Sequence, residues 1–143
     1  MYKNILIATD GSSVAASAAQ QGISLAKSEG AKVTAVSVAE PYHWFSPGTD
    51  PAAVTAYTDG VKQAAARALT TVADAAAAAG VACETLQLED QHPYKAIIAA
   101  AGTKNCDLIV MGSHGRGTAS AIVLGSESNK VLAHSKIPVL VCR

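Results

Sequence analysis

Short apolar runs alternate with longer segments of helical periodicity along the whole chain. The run Ile5–Ala8 is closed by the turn-forming stretch TDGSS, which predicts a buried strand followed by a turn. From about Ser13 to Ser28, apolar residues lie among small and polar ones, and Gly30 supplies a helix stop, so a helix is predicted there. The stretch KVTAVSVAE then predicts a second strand.

The rest of the chain repeats this alternation. Asp50 and Pro51 are typical of the N-cap and first residue of a helix, and the alanine-rich body runs to about Ala79 before Gly80 ends it. Three further strands are predicted in VACETLQL, CDLIVMGS and IPVLVCR, with helices opening at Pro93 and in SESNKVLAHS. The order βαβαβαβαβ predicts one α/β domain over 1–143, a doubly wound parallel sheet with helices on both faces.

Two of the predicted strands end in polar, glycine-bearing sequence: ATDGSS after the first strand and MGSHGRG after the fourth. In doubly wound sheets, ligands bind beyond the carboxyl ends of the strands, where the strand order reverses. If these strands are neighbours at the reversal, both ends open on one crevice. Four of the chain's 11 glycines follow the fourth strand within fourteen residues, at Gly112, Gly115, Gly117 and Gly125. Such a cluster serves turns with positive φ, or the close approach of a ligand or a packed neighbour.

Composition narrows the classes of function. Lys+Arg and Asp+Glu number 11 each, so the chain lacks the basic field that holds nucleic acid, and we predict no nucleic-acid partner. The first residues turn polar too soon for a signal peptide or a membrane span, which predicts a cytoplasmic protein without a membrane partner. Cys83, Cys106 and Cys142 are far apart among apolar residues, which predicts reduced, buried thiols.

The glycines follow the spacing Gly112-x2-Gly115-x9-Gly125-Ser126. No lysine stands where a Walker P-loop needs it, and Ser120 stands where a dinucleotide fingerprint needs a third glycine. With the segments ILIATDGS, DLIVMGSHGRG and GSESNKVLAHSKIPVLV, the chain resembles the ATP-binding branch of the universal stress protein family. The resemblance implies a five-stranded parallel sheet in the order 3-2-1-4-5. It also implies ATP as ligand, or AMP or ADP, with Mg²⁺ or Mn²⁺ at the phosphates.

The resemblance further implies which residues bind the nucleotide. Glycine backbone and the amino terminus of the helix after Gly125 suit phosphate, because unpaired N–H groups and the helix dipole favour anions. The metal would lie near Asp10. The implied binding residues are Ala8, Thr9, Asp10, Val38, Met111, Gly112, His114, Gly115, Arg116, Gly125, Ser126, Glu127 and Ser128.

Several of these positions also have a purely structural interpretation. Asp10 lies near ribose or metal in relatives, or it forms the Asx turn or cap of TDGSS. Val38 contacts adenine, or it packs in the core. Ser126 donates to a phosphate, or Ser126 or Ser128 is an ordinary N-cap.

Glu127 departs from the family pattern, since relatives commonly carry an apolar residue there. A carboxylate in the first helical turn competes with phosphate for the helix dipole, so it weakens ATP binding or favours a metal-bridged mode. Arg116 offsets this charge if it turns inward, or else it stays exposed. His114 is expected to face solvent and not to act as a base. The aromatic residues of Tyr42–Phe45 pin their own loop, or they cap the nucleotide or contact a partner.

The leading hypothesis is a stress-response regulator in which ATP occupancy alters loop order and partner or oligomer state. The alternatives are a slow ATPase or autophosphorylating phosphotransferase, for which no base is evident, and a nucleotide-free dimeric interaction protein. The last strand, with residues Val139–Arg143, is expected to form an apolar sheet edge. Because family members often dimerise through this strand, the resemblance implies a homodimer.

Overall fold

The computed structural model describes residues 1–41, 48–114 and 124–143. Within these ranges, strands and helices alternate as the hydrophobic pattern predicts. The strands are β1 Asn4–Ala8, β2 Lys32–Ala39, β3 Cys83–Glu89, β4 Leu108–Gly112 and β5 Val139–Cys142. The helices are α1 Ser13–Glu29, α2 Pro51–Ala78, α3 Pro93–Thr103 and α4 Ser126–His134.

The strands form one parallel sheet in the order β3-β2-β1-β4-β5. In the middle of the sheet, Ile7 of β1 is paired with Ala35 of β2 on one side and with Val110 of β4 on the other. The sequence therefore runs outward from β1 in one direction and from β4 in the other. This confirms the predicted order and makes β1 and β4 neighbours at the reversal.

The central strand β1 is buried on both faces, and its side chains alternate between two cores. Ile5 and Ile7 pack on the face covered by α1 and α2. Leu6 and Ala8 pack on the opposite face, under α3 and α4. All of these residues are less than a tenth exposed. A continuous apolar run, without polar alternation, is what a parallel strand between two helical layers requires.

Local caps fix where the helices on the first face begin and end. Ser12 accepts a hydrogen bond from the backbone N–H of Ala15 at 3.2 Å, and Gly30 ends α1 with φ of 70°. Asp50 accepts from the backbone N–H of Ala52 at 3.0 Å, directly before Pro51. These contacts confirm the predicted helix ends at Gly30, Asp50 and Pro51, whereas Ser12 as the N-cap of α1 was not predicted.

The three cysteines are free thiols. Cys106 and Cys142 are buried as predicted, but Cys83, the first residue of β3, is only partly buried. Desolvation raises the pKa of each thiol above its ordinary value, which disfavours the reactive thiolate. No helix in the described part of the chain is both long and apolar enough to cross a membrane.

Candidate functional site

A cavity of about 510 Å³ opens at the carboxyl ends of β1, β2 and β4. Its lining comes from segments that are far apart in sequence, and it includes every described member of the predicted binding set. These are Ala8, Thr9, Asp10, Val38, Met111, Gly112, His114, Gly125, Ser126, Glu127 and Ser128. The other predicted members, Gly115 and Arg116, lie outside the described residues, as does the aromatic segment Tyr42–Phe45.

The end of β1 enters the cavity through a tight turn. The Thr9 backbone N–H donates to the Val36 carbonyl at 2.9 Å, and the Thr9 hydroxyl accepts from the Gly11 N–H at 3.2 Å. Oδ1 of Asp10 accepts from the Ser12 N–H at 2.9 Å, so Asp10 forms the Asx turn. Asp10 also lines the cavity. The turn and a ligand role are therefore compatible, and the ligand role stays a prediction.

Gly112 and Gly125 are explained by close packing within the chain. Neither has a positive φ, unlike Gly11 in the first turn. A Cβ on Gly112 would lie 2.9 Å from Cγ1 of Val14 and 3.3 Å from the Ala15 backbone nitrogen. A Cβ on Gly125 would lie 3.1 Å from Cα of His114. The sequence left three reasons open for these glycines: positive φ, a close ligand or a closely packed neighbour. The closely packed neighbour accounts for Gly112 and Gly125.

Two hydrogen bonds tie the start of α4 to the end of β4. The Ser128 hydroxyl is buried and donates to the Gly112 carbonyl at 2.8 Å. The Gly125 N–H donates to the Ser113 carbonyl at 2.7 Å. Ser113 in turn donates its own N–H to the Cys142 carbonyl at 2.7 Å. The amino terminus of α4 is thus fixed directly beside the strand end.

The alternative interpretation, in which Ser126 or Ser128 is the N-cap of α4, is wrong. The N-cap is Gly125, and it has no side chain to bond the first N–H groups. The Ser128 hydroxyl instead donates a hydrogen bond to the Gly112 carbonyl, while Ser126 is exposed at the cavity. The first helical turn leaves N–H groups without intrahelical acceptors, and here they lie at the cavity wall. Such an end favours an anion.

His114, which is expected from the sequence to face solvent, is partly buried and lines the cavity. Its Nδ1 lies 3.1 Å from the hydroxyl oxygen of Ser113. The bond from Gly125 to the Ser113 carbonyl holds this part of the chain against the start of α4. His114 therefore lies at the cavity wall beside the start of α4, and its role in binding stays a prediction.

The described lining of the cavity is acidic. It carries the carboxylates of Asp10, Glu40 and Glu127, and no lysine or arginine occurs among the described lining residues. Oε2 of Glu127 is buried and accepts no hydrogen bond from the described residues. It lies 3.5 Å from Nζ of Lys130, which is itself half exposed and stands 5.6 Å from the ring centroid of Tyr94.

The sequence reasoning missed the wall that α2 provides. Tyr57, Val61, Ala64 and Ala65 line the cavity, and Tyr57 is 48% exposed although it is a large aromatic residue. These positions are four, three and one residues apart, which places them on one face of the helix. That spacing is the signal that could have identified them. Glu40, directly after β2, was also missed.

The strand order and the cavity at its reversal define a doubly wound α/β protein with a candidate ligand site at the switch point. A sequence profile of the universal stress protein family matches residues 1–143. A universal stress protein of Thermus aquaticus is 36% identical over 143 residues, covering 100% of both chains. The chain therefore belongs to the universal stress protein family.

Solved structures of this family have the same fold. UspA from Lactobacillus plantarum aligns with a TM-score of 0.77 and 27% identity, covering 99% of this chain and 98% of that one. A universal stress protein in complex with cAMP aligns with a TM-score of 0.75 and 25% identity, covering 99% and 97%. The predicted family and fold are thus confirmed.

The packing at Gly112 predicts a cost for any side chain there. Gly112→Ala is expected to lower the free energy of unfolding by about 1–3 kcal/mol, because the new methyl group meets Val14 and the Ala15 backbone. Gly60→Ala is the control. Gly60 lies within α2 with nothing within 4 Å of the added Cβ, so alanine should stabilise by about 0.5–1 kcal/mol. Urea unfolding measures both, and a Gly112→Ala protein as stable as wild type would contradict the packing argument.

Proposed function

We propose that this protein is a cytoplasmic adenine-nucleotide-binding regulator of the stress response, which binds ATP at the carboxyl edge of β1 and β4. The observation that carries this proposal is that all predicted binding residues within the described part of the chain line one cavity. A volume of about 510 Å³ falls within the usual range of small-molecule sites. The solved relative in complex with cAMP supports an adenine nucleotide as the ligand class.

The cavity lining offers two kinds of chemistry. Ala8, Val38 and Met111 are apolar lining residues that suit the adenosine moiety. The N–H groups of the first turn of α4 and the Ser126 hydroxyl suit phosphate. A nucleotide in contact with both groups would join β1, β4 and α4, and its occupancy is the proposed regulatory signal.

A divalent cation would accompany a polyphosphate in this site. The described residues contain no group of three or more His, Cys, Asp or Glu that could hold a metal alone. Asp10 and Glu127 nevertheless supply carboxylate oxygens to the cavity. Mg²⁺ and Mn²⁺ accept hard oxygen ligands, and Mg²⁺ is usually bound by one or two carboxylates together with substrate phosphates. Asp10 is the proposed protein ligand, with phosphate oxygens completing the coordination.

Nucleotide binding is tested by mass spectrometry of material released on denaturation, with calorimetric titration of ATP and Mg²⁺. Ser126→Ala should weaken ATP binding about tenfold or more, because a hydrogen bond to a charged group is worth about 1.5–3 kcal/mol. Ser17→Ala is the control, since Ser17 is an exposed serine within α1 that does not line the cavity. Absence of both released nucleotide and binding heat would refute the proposal and favour the nucleotide-free interaction protein.

Tyr57 is expected to contribute an aromatic wall to the bound nucleotide. Tyr57→Ala should weaken binding about tenfold, because contact between a base or ribose and an aromatic face is worth about 1–3 kcal/mol. Tyr57→Phe keeps the ring and should bind within about twofold of wild type. The same titration measures both variants. Equal affinities for Tyr57→Ala and wild type would show that the α2 wall does not touch the ligand.

We also propose a homodimer formed through β5. This strand is an edge of the sheet, and Leu140 within it is 40% exposed. Val139 and Val141 beside it are only partly buried. An apolar edge strand presents unpaired backbone groups and invites pairing with a second copy.

Leu140→Lys should convert the dimer to a monomer, because a charge on the edge strand opposes pairing. Light scattering after size exclusion would then report a mass near 14.5 kDa in place of twice that value. Thr85→Lys on β3, the opposite edge, is the matched control and should leave the dimer intact. A wild-type mass of one chain at micromolar concentration would refute the dimer.

A further inference from the structure

The carboxylates of the cavity oppose the negative charge of the proposed ligand. Asp10, Glu40 and Glu127 all line it, and the described lining residues supply no lysine or arginine to offset them. The phosphate monoester of AMP carries a charge of about −1.5 to −2 at pH 7 and the cyclic diester carries less, whereas each further phosphate adds to the repulsion. The electrostatic cost of binding therefore rises with the number of phosphates.

Glu127 is the carboxylate best placed to act on phosphate. It is the second residue of α4, in the turn whose N–H groups are the anion-binding feature of the cavity. Its Oε2 is buried and has no hydrogen-bond donor in the described part of the chain, while the side chain as a whole is 32% exposed. A buried carboxylate oxygen is screened less by salt and water than an exposed one. Glu127 and a phosphate chain therefore compete for the same positive end of the helix.

Lys130 offsets this charge only in part. Its Nζ stands 3.5 Å from Oε2 of Glu127, at ion-pair distance but without a hydrogen bond. The ammonium group is half exposed, lies near the Tyr94 ring and is not part of the cavity lining. It therefore reduces the field of Glu127 without itself contacting a ligand in the cavity.

From this arrangement we infer that Glu127 makes the site select adenine nucleotides by charge. In the absence of a divalent cation, the site binds a nucleotide with one phosphate group in preference to a triphosphate. A divalent cation restores ATP binding by neutralising the phosphates beside Glu127 and Asp10. This inference rests on the proposed nucleotide-binding function and assigns Glu127 as its specificity-determining residue.

The test is calorimetric titration of AMP, 3′,5′-cyclic AMP and ATP into the full chain, first with EDTA and then with Mg²⁺. In EDTA, wild type should bind AMP and cyclic AMP at least about tenfold more tightly than ATP. Mg²⁺ should reduce this ratio of affinities. Glu127→Gln should raise ATP affinity in EDTA roughly five- to tenfold and that of the monophosphates by about twofold or less.

Two further variants separate the field of Glu127 from net charge. Lys130→Gln removes the cation beside Glu127 and should widen the preference for monophosphates by about two- to threefold. Asp74→Asn removes one negative charge at an exposed position of α2 outside the cavity, and it should leave every ratio unchanged. Circular dichroism and the melting temperature confirm that each variant is folded.

The outcomes distinguish the selectivity from the proposed function. Equal binding of AMP and ATP by wild type in EDTA would overturn the charge selection while leaving nucleotide binding intact. If Glu127→Gln left the ratio of AMP to ATP affinity unchanged, or raised the affinity for all nucleotides equally, Glu127 would not be the residue that determines this selectivity. Failure of every nucleotide to bind, with and without Mg²⁺, would overturn the proposed function and this inference together.

Discussion

The approach of Gly112 to the first turn of α1 is the contact on which the candidate site depends. Cγ1 of Val14 and the backbone nitrogen of Ala15 occupy the space that a side chain on Gly112 would need. The carbonyl of the same glycine accepts the hydroxyl of Ser128 from α4. The start of α1, the end of β4 and the start of α4 therefore meet at one residue. Because interiors are packed to near-crystal density, a shift of any one element would move the others.

This convergence changes what the glycine motif signifies. Gly112 and Gly125 are required by the chain's own packing, since an added Cβ on either would crowd a neighbouring segment. Their presence alone is therefore no evidence for a ligand. The case for a ligand comes instead from the cavity beyond them and from the α4 terminus, whose N-cap Gly125 has no side chain to satisfy the first N–H groups.

Local features of the sequence were sufficient to predict the elements and their ends. Asp50 with Pro51 and Gly30 act within one helical turn, and the apolar run of β1 reports burial on both faces. The contacts inside the site were not predictable in the same way. Ser128 bonds a carbonyl 16 residues away, and the bond from Gly125 to Ser113 places the partly buried His114 at the cavity wall. Such pairings depend on the assembled fold, as does the partial exposure of Cys83 at a sheet edge.

The extra length of α2 relative to the sheet forms the wall of the cavity that was not predicted from the sequence. Its 28 residues span about 42 Å, whereas the eight residues of β2 span about 26 Å. The first buried residue of the helix is Ala65, so the segment from Pro51 to Ala64 contains no fully buried residue, although the Lys62 carbonyl accepts a hydrogen bond from Nε2 of Gln87 in β3. A helix that only covered the sheet would need no such extension. The side chains of Tyr57 and Val61 in this extension line the cavity, so the excess length encloses the site instead of enlarging the core.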